Sequence, residues 1–218
     1  MEEASPARPE LEPRDAWTGE VWTGEPPDDD VDEALVEDQD WAGLELVGAR
    51  FSGSRLTGVD LTDAGWRNVK LVGCRFERVD FSGARLDSAL VDRCEFVGCR
   101  MTGAQLLAST VKDVVFEDCR LDYASFVDVR STGPVAVLDC VLGKANLVRC
   151  RLSKLTLARC RLAGAELQDC DLRGADLRDN DLSELTGLTS LAGSRIDETQ
   201  LPALAILAAR TLGLVVER

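Results

Sequence analysis

The chain has 218 residues, with eight cysteines, no histidine and a formal net charge of −14. It contains no glycine-rich phosphate loop and no clustered set of metal ligands, which argues against an enzyme, a cofactor or a metal site. It also contains neither a secretory signal pattern nor an apolar run that could span a bilayer, so we expect a cytoplasmic protein without membrane contacts.

The negative charge is concentrated at the N-terminus. Residues 1–40 carry 15 acidic residues against Arg8 and Arg14, a net charge of −13. The remaining 178 residues carry 24 acidic and 23 basic residues, a net charge of −1. Richness in Pro, Glu and Asp predicts a disordered tail over residues 1–40. Within this tail, residues 31–40 are expected to form a short helical or irregular plug over the first strand edges of the following domain.

A short repeat in this tail has two interpretations. The sequence Trp-Thr-Gly-Glu begins at Trp17 and again at Trp22, five residues later. Two exposed tryptophans in an acidic segment would suit a docking motif for a protein partner. Alternatively, the repeat is a degenerate turn that folds back onto the first repeat unit of the chain.

Large apolar residues recur at every fifth position from Trp41 to Leu182. The phase slips once by one residue, in the segment 131–135, and all 28 positions are apolar against a 45% hydrophobic background. This period fits neither a 3.6-residue helix nor a two-residue strand, and it indicates a repeat architecture. The central residues are Trp41, Leu46, Phe51, Leu56, Leu61, Trp66, Leu71, Phe76, Phe81, Leu86, Val91, Phe96, Met101, Leu106, Val111, Phe116, Leu121 and Phe126, then Val137, Leu142, Leu147, Leu152, Leu157, Leu162, Leu167, Leu172, Leu177 and Leu182.

Most units also have a small residue two positions before the central one. Clear examples are Ala145-Asn146-Leu147, Ala165-Glu166-Leu167 and Ala175-Asp176-Leu177. The pattern resembles the pentapeptide-repeat family, whose motif is commonly written A-(D/N)-L-x-x, over roughly residues 44–185. The resemblance implies an all-β fold, a right-handed quadrilateral β-helix, and it says much less about function.

Simple geometry supports this fold independently. If each unit forms one side of a square, four units make a 20-residue coil whose central and small residues point inward. Coils that stack at about 4.8 Å would make a rod of roughly 30–35 Å over residues 41–196. Residues 20 positions apart would lie above one another, which predicts an internal ladder of Leu56, Phe76, Phe96 and Phe116.

All eight cysteines occupy the small inward position of a unit. They are Cys74, Cys94, Cys99, Cys119, Cys140, Cys150, Cys160 and Cys170. A zinc site would need clustered cysteines or histidine partners, whereas cysteine packs well as a small buried hydrophobe. We therefore expect reduced core thiols, which suits a reducing cytoplasm.

Basic residues in the segment 144–161 precede acidic residues in the segment 166–184 by one coil. Opposite charges in register favour ladders of ion pairs on the outside of the rod over a nucleic-acid-binding patch. The 20-residue offset predicts the pairs Arg149–Asp169, Arg151–Asp171, Arg159–Asp179 and Arg161–Asp181.

The sequence of residues 197–218 predicts a C-terminal cap that consists mainly of a helix near residues 201–212. Acidic residues and Pro202 suit the start of this helix, Gly213 suits its end, and residues 214–216 could add a short strand. The helix is nearly all Ala, Leu and Ile, more apolar than packing on one side requires. The candidate dimer-interface residues are Leu201, Leu204, Ile206, Leu207 and Leu212. The ending is similar to that of the quinolone-resistance pentapeptide proteins, a resemblance that implies a homodimer through the caps.

Two functions fit these observations. The first is a non-enzymatic protein-interaction scaffold, with the rod as a rigid spacer and the acidic tail, which contains Trp17 and Trp22, as a recruitment segment. The second, implied by the resemblance, is a DNA-mimicking protein that binds a topoisomerase (gyrase) and confers resistance to quinolones or other gyrase poisons. The near-neutral coils favour the first, with a protein partner and no direct binding of nucleic acid.

Overall fold

The computed structural model describes residues 19–23 and 25–215, so Trp17 lies outside the described residues. In this part of the chain, short parallel strands wind into a solenoid that is followed by one α-helix. No helix in the described ranges is long and apolar enough to cross a membrane.

The strands, numbered β1 to β21 in chain order, form three parallel sheets. Sheet 1 contains β1 (Glu20–Val21), β3 (Ala34–Glu37), β6 (Arg55–Thr57), β9 (Arg75–Glu77), β12 (Glu95–Val97), β15 (Val114–Glu117), β18 (Val135–Leu138) and β20 (Leu155–Ala158). Sheet 2 contains β4 (Glu45–Val47), β7 (Gly65–Arg67), β10 (Arg85–Asp87), β13 (Gln105–Leu107), β16 (Ser125–Val127), β19 (Asn146–Val148) and β21 (Glu166–Gln168). Sheet 3 contains β2 (Val31–Asp32), β5 (Arg50–Ser52), β8 (Lys70–Val72), β11 (Leu90–Asp92), β14 (Thr110–Lys112) and β17 (Arg130–Ser131).

In each coil the chain passes through sheet 3, sheet 1, a fourth side and sheet 2 before it returns to sheet 3. On the fourth side, isolated bridges stack one residue of each coil on the next, from Asp40 to Asp181. Sheets 1 and 2 therefore lie on opposite sides of the core, and sheet 3 lies opposite the fourth side. The four-sided β-helix predicted from the five-residue period is confirmed.

The predicted internal ladder is present at the centre of the rod. Leu56 is in register with Phe76. The ring centroids of Phe76 and Phe96 lie 4.8 Å apart, as do those of Phe96 and Phe116, and the rings are nearly parallel. Stacked rings combine a large buried apolar area with a favourable aromatic geometry, so this column is a major source of cohesion between coils.

Most corners of the coil have a left-handed backbone two positions after the central residue. Asp63 and Asn68 adopt this conformation, with φ of 55° at both, and short polar side chains tolerate it because they hydrogen-bond locally. Near the C-terminal end of the solenoid, Gly187 has φ of 80° and lies against the carbonyl group of Leu167, where a β-carbon would collide with backbone. Only glycine fits that position.

The phase slip changes the register between coils as predicted. Val111 pairs with Ser131, 20 positions later, whereas Val114 pairs with Val135, 21 positions later. The extra residue lies in the loop between Ser131 and Val135. The sheets continue past it because a loop at a corner absorbs an inserted residue without turning the inward side chains outward.

The solenoid begins earlier than the sequence analysis expected. Residues 31–40, predicted to form a helical or irregular plug, contain β2 and β3, which pair with β5 and β6. Val31 and Val36 are 1% and 0% exposed and belong to the core. Their spacing explains the difference, since both continue the five-residue phase of Trp41 despite the acidic residues around them. The predicted disorder of residues 1–18 falls outside the described residues.

The C-terminal end closes the rod with helices. Two 3₁₀ helices, Leu188–Leu191 and Glu198–Gln200, precede helix α1, Leu201–Thr211, in agreement with the predicted helix. The Asp197 carboxylate accepts the backbone N–H of Thr199, and the side chain of Gln200 accepts the backbone N–H of Asp197. Leu214 and Val215 form no strand, contrary to expectation; the backbone N–H of Leu214 instead donates to the carbonyl of Ala209.

Candidate protein-interaction surfaces

Helix α1 presents an apolar surface to solvent at one end of the rod. The exposed fractions are 53% for Leu201, 55% for Ile206 and 71% for Leu212. The chain beyond the helix extends this surface, since Leu214 and Val215 are 61% and 87% exposed. Such a concentration of large apolar side chains at one end of a rod is typical of a contact surface.

The other two candidate interface residues of the helix pack toward the last coil. Leu207 is 7% exposed and belongs to the core, and half-buried Leu204 packs against it. Both residues therefore hold the helix on the last coil. A one-sided cap needs this pair for its own attachment, so the five candidates divide into an inward pair and an outward group of Leu201, Ile206 and Leu212.

Trp22 packs on the first coil. It is half-buried, and its ring meets that of Trp41 edge to face with centroids 6.2 Å apart. Its indole N–H donates to the carbonyl of Glu25 at 3.2 Å, and β1, which precedes it directly, pairs with β3. These contacts support the interpretation in which the Trp-Thr-Gly-Glu repeat folds back onto the coil at Trp22.

The cysteines stack in inward columns, as their register predicted. All eight are free, seven are buried, and Cys170 is half-buried. Most of their thiols donate to backbone carbonyls, as in the 3.3 Å bond from Cys99 to Phe76. In the described ranges, no group of three or more potential ligands is placed to hold a metal ion.

Hydrogen bonds within these columns alter the acidity of the thiols. A hydrogen bond from Cys150 lowers the pKa of half-buried Cys170 to about 7, against the opposing effect of burial. Hydrogen bonding to Cys140, followed by burial, raises the pKa of Cys160 far above its ordinary value. Because the thiolate is the nucleophile, we expect half-buried Cys170 to react faster than buried Cys160.

The predicted ion-pair ladders are wrong in their partners although the register is correct. Arg151 and Arg161 are stacked on Asp171 and Asp181 as expected. The ion pairs, however, join Arg149 to Asp128 at 2.6 Å and Arg159 to Asp139 at 2.7 Å, in the preceding coil. Each of these two arginines lies between aspartates of two coils and binds the earlier one with two N–H donors.

Arginines also bind aspartates within the same unit. Arg173 binds Asp171 with two side-chain N–H donors and its backbone N–H, which lowers the pKa of Asp171 to about 2. Arg178 contacts Asp176 in the same way at 2.6 Å. A partner two residues away in the chain needs less ordering of side chains than one in the next coil, which explains why Asp171 is not bound by Arg151.

The fourth side carries a stripe whose charge changes sign along the rod. It begins with Asp40, Asp60 and Asp80 and continues with Arg100 and Arg120. Asp80 and Arg100 form an ion pair at 2.6 Å where the sign changes. Around the basic part, between the fourth side and sheet 1, lies a shallow depression of about 530 Å³. Its charged lining residues are Arg100, Asp118, Arg120, Asp139, Arg159 and Arg161.

Two family models of the same kind of repeat match the sequence of this chain. "Pentapeptide repeat region" matches residues 69–133, and "Pentapeptide repeats (8 copies)" matches residues 34–64 and 140–179. Together the matched segments span more than half of the chain and include all of β3, N-terminal to Trp41. No curated protein matches the chain.

Solved structures with a similar fold include two of QnrB1, described as a plasmid-mediated fluoroquinolone resistance protein. A trypsin-treated variant is 16% identical, with a TM-score of 0.40, and the match covers 88% of this chain and 100% of that one. Full-length QnrB1 is 15% identical, with a TM-score of 0.32, and the match covers 85% and 99%.

A third structure is HetL, involved in heterocyst differentiation regulation, from the cyanobacterium Nostoc sp. strain PCC 7120. It is 19% identical, with a TM-score of 0.31, and the match covers 72% of this chain and 76% of that one. All three identities are below 20%, so the function has to be argued from the surfaces of this chain.

Proposed function

Since the chain belongs to the pentapeptide-repeat family, we propose that it is a non-enzymatic protein-interaction scaffold that works as a homodimer joined through helix α1. The rod supplies a rigid spacer, because its strands are tied by continuous backbone hydrogen bonds from coil to coil. Its outer surface supplies contact sites of mixed charge for a protein partner. The inward thiols suit a reducing compartment such as the cytoplasm.

The exposed apolar side of helix α1 is the observation that carries this proposal. Leu201, Ile206 and Leu212 project from one end of the rod and are more than half exposed. Burying the exposed part of each such side chain in an interface is worth about 1–2 kcal/mol before the cost of association. A contact between two copies about a two-fold axis would bury this surface on both chains at once.

Dimerisation can be tested by sedimentation velocity on the full chain. We expect a dimer for the unmodified protein and a monomer for the double substitution Ile206→Glu/Leu212→Glu, because carboxylates in an apolar interface lose hydration without gaining partners. Circular dichroism should be unchanged, since both side chains are more than half exposed.

Val47→Glu is the matched control. Val47 is 63% exposed on sheet 2 near the other end of the rod, so this substitution places the same charge on an equally exposed apolar residue and should leave the dimer intact. A monomeric unmodified protein, or loss of the dimer in Val47→Glu as well, would contradict the proposed interface.

The gyrase-binding alternative is supported by one feature, the acidic part of the fourth-side stripe at Asp40, Asp60 and Asp80. Carboxylates in a row can replace phosphates on a protein that binds DNA. The stripe is short, however, because Arg100 and Arg120 follow in the same column. Salt-sensitive inhibition of gyrase supercoiling that is lost in Asp60→Asn/Asp80→Asn would favour this alternative over the general scaffold.

A further inference from the structure

The interior of the solenoid contains a cavity at the phase slip. Its volume is about 60 Å³, and its lining comes from successive coils and from all four sides of the rod. The described residues that line it are all Leu, Val or Phe. The cavity is therefore apolar on every side and lies within the core.

Ser131 accounts for this space. The coils before and after it place Val111 and Leu152 at the centre of the unit on the side of sheet 3, and both are buried. Between them stands Ser131, in register with Val111. Serine is smaller than either residue, so this coil has only Phe126, Val137 and Leu142 as large central residues. Because protein interiors are otherwise closely packed, the missing fourth side chain leaves a cavity.

The exposure of inward side chains changes along the rod in agreement with this cavity. Every central residue from Trp41 to Phe81 is at most 2% exposed. Around the cavity, Phe116 is 8% exposed, and Val137 and Leu157 are each 7% exposed, although all three occupy central positions. Inward side chains in the later coils thus border internal space that tryptophan and phenylalanine fill in the earlier ones.

We propose that this cavity is a binding site for small apolar molecules, of the size of a noble-gas atom or an apolar gas. Its volume exceeds the roughly 10–15 Å³ that one water molecule needs, but a bound water also needs polar partners. The described lining residues offer none. An apolar cavity of about 150 Å³ takes benzene or xenon, so the smaller cavity of this chain selects smaller occupants.

An occupant gains contacts that the lining lacks. Atoms that border an apolar space have no dispersion partners on that side. A small apolar molecule supplies those partners, and no polar group of the lining has to give up a hydrogen bond when it enters. Entry requires neighbouring coils to separate locally, which is slower than binding at an open surface but needs no unfolding of the rod.

Xenon is a direct probe of the site in the full chain. The methyl groups of leucine and valine are labelled, and their NMR shifts are followed as the xenon pressure rises. Leu121 and Leu142 line the cavity, whereas Leu56 and Leu61 lie in the closely packed N-terminal coils. We expect shift changes that saturate at the first pair and are at least about fivefold larger than at the second.

Val137→Phe should fill the cavity. Val137 lines it and is in register with Phe116, the last ring of the internal ladder. A phenyl ring at position 137 would therefore stack on Phe116 and occupy the space. We expect the xenon-dependent shifts at Leu121 and Leu142 to fall at least about fivefold and the unfolding temperature to rise by about 2–4 °C.

Val36→Phe is the matched control. Val36 occupies the same column of sheet 1, in register with Leu56, and is 0% exposed. The same substitution should overpack this coil and lower the unfolding temperature, while xenon shifts at the cavity stay within about twofold. Xenon shifts that are absent from the unmodified protein, or that persist undiminished in Val137→Phe, would overturn the proposal.

Leu157→Ala tests the site independently by enlarging it. Leu157 lines the cavity, so its truncation should lower the unfolding temperature and make room for a larger apolar ligand. Benzene should then raise the unfolding temperature of this variant in a saturable way and leave that of the unmodified protein unchanged, because only the enlarged cavity accepts it. No effect of benzene on the variant, or an equal effect on both proteins, would contradict a binding site at this position.

Discussion

Individual residues in this molecule are governed by their position in the five-residue unit. Cysteine occurs only at the small inward position, and seven of the eight cysteines are buried. Asp63 and Asn68 occupy corners where a left-handed backbone is needed. A residue's register therefore predicts its burial better than its chemical type does, which is how the inward thiols could be predicted from sequence alone.

Cys170 is expected to be the thiol that reacts in the native protein. Its pKa of about 7 arises mainly from the hydrogen bond of Cys150, so labelling by a maleimide should rise with pH and level off above about pH 8, because the thiolate is the nucleophile. Cys150→Ala should move the midpoint toward about 8.5, the ordinary value, whereas Cys150→Ser retains a donor and should move it less.

The same pKa makes stability depend on pH. Because the pKa of Cys170 is lower in the folded than in the unfolded chain, its thiolate stabilises the fold above about pH 8.5, and this contribution disappears as the pH falls through about 7. Rapid native labelling of several thiols, or an identical midpoint in Cys150→Ala, would contradict this assignment.

The elements of the rod gain their stability from columns that join neighbouring coils. The ring of Phe96 stacks between those of Phe76 and Phe116, both at 4.8 Å, and is 3% exposed. The register of this column followed from counting 20 residues. The partners in the ion pairs could not be predicted by the same count. Arg149 and Arg159 each have an aspartate in both adjacent coils, and side-chain geometry rather than register determines which one they bind.

Phe96→Ala should lower the free energy of unfolding by about 3–5 kcal/mol, because it leaves a cavity in the ladder and removes three ring contacts, with Phe76, Phe81 and Phe116. Phe126→Ala is the matched comparison, since Phe126 is half-buried and pairs with Leu106 and Leu147 rather than with rings. Urea denaturation followed by circular dichroism measures both variants. A loss for Phe126→Ala that equals or exceeds that for Phe96→Ala would show that ring stacking adds little.

Helix α1 shows what the composition of a segment can and cannot predict. Its existence and bounds were predictable from the Ala/Leu run between Pro202 and Gly213. Which residues face the coil was not, because Leu201, Leu204 and Leu207 are equally apolar in sequence. Contact with the last coil separates them: Leu207 is buried, Leu204 is half-buried against the core, and Leu201 is 53% exposed.

At the scale of the whole molecule, the ends are where sequence reasoning was least accurate. The net charge of −13 over residues 1–40 suggested one continuous tail. Val31 and Val36 nevertheless continue the five-residue phase and enter the core. The five-residue period is thus a stronger indicator of where the solenoid begins than the net charge. A coil needs only its inward positions to be apolar and tolerates acidic residues at all outward positions.

Two truncations test where the solenoid begins. A chain that lacks residues 1–30 retains β2 and β3, whereas a chain that lacks residues 1–40 loses both strands, along with buried Val31 and Val36. We expect the longer deletion to unfold at a lower temperature and to cost at least about 3 kcal/mol more, because two valines of about 1.5–3 kcal/mol each leave the core. It also exposes the pairing edges of β5 and β6.

Thermal denaturation followed by circular dichroism compares the two truncated chains directly. Both lack residues 1–18, so any effect of that segment cancels, and the difference isolates residues 31–40. Equal unfolding temperatures would mean that β2 and β3 add nothing to the rod and that the stable solenoid begins at Trp41. A lower unfolding temperature for the longer deletion alone would show that residues 31–40 belong to the first coil. A deletion designed to study the acidic tail would then have to end at residue 30.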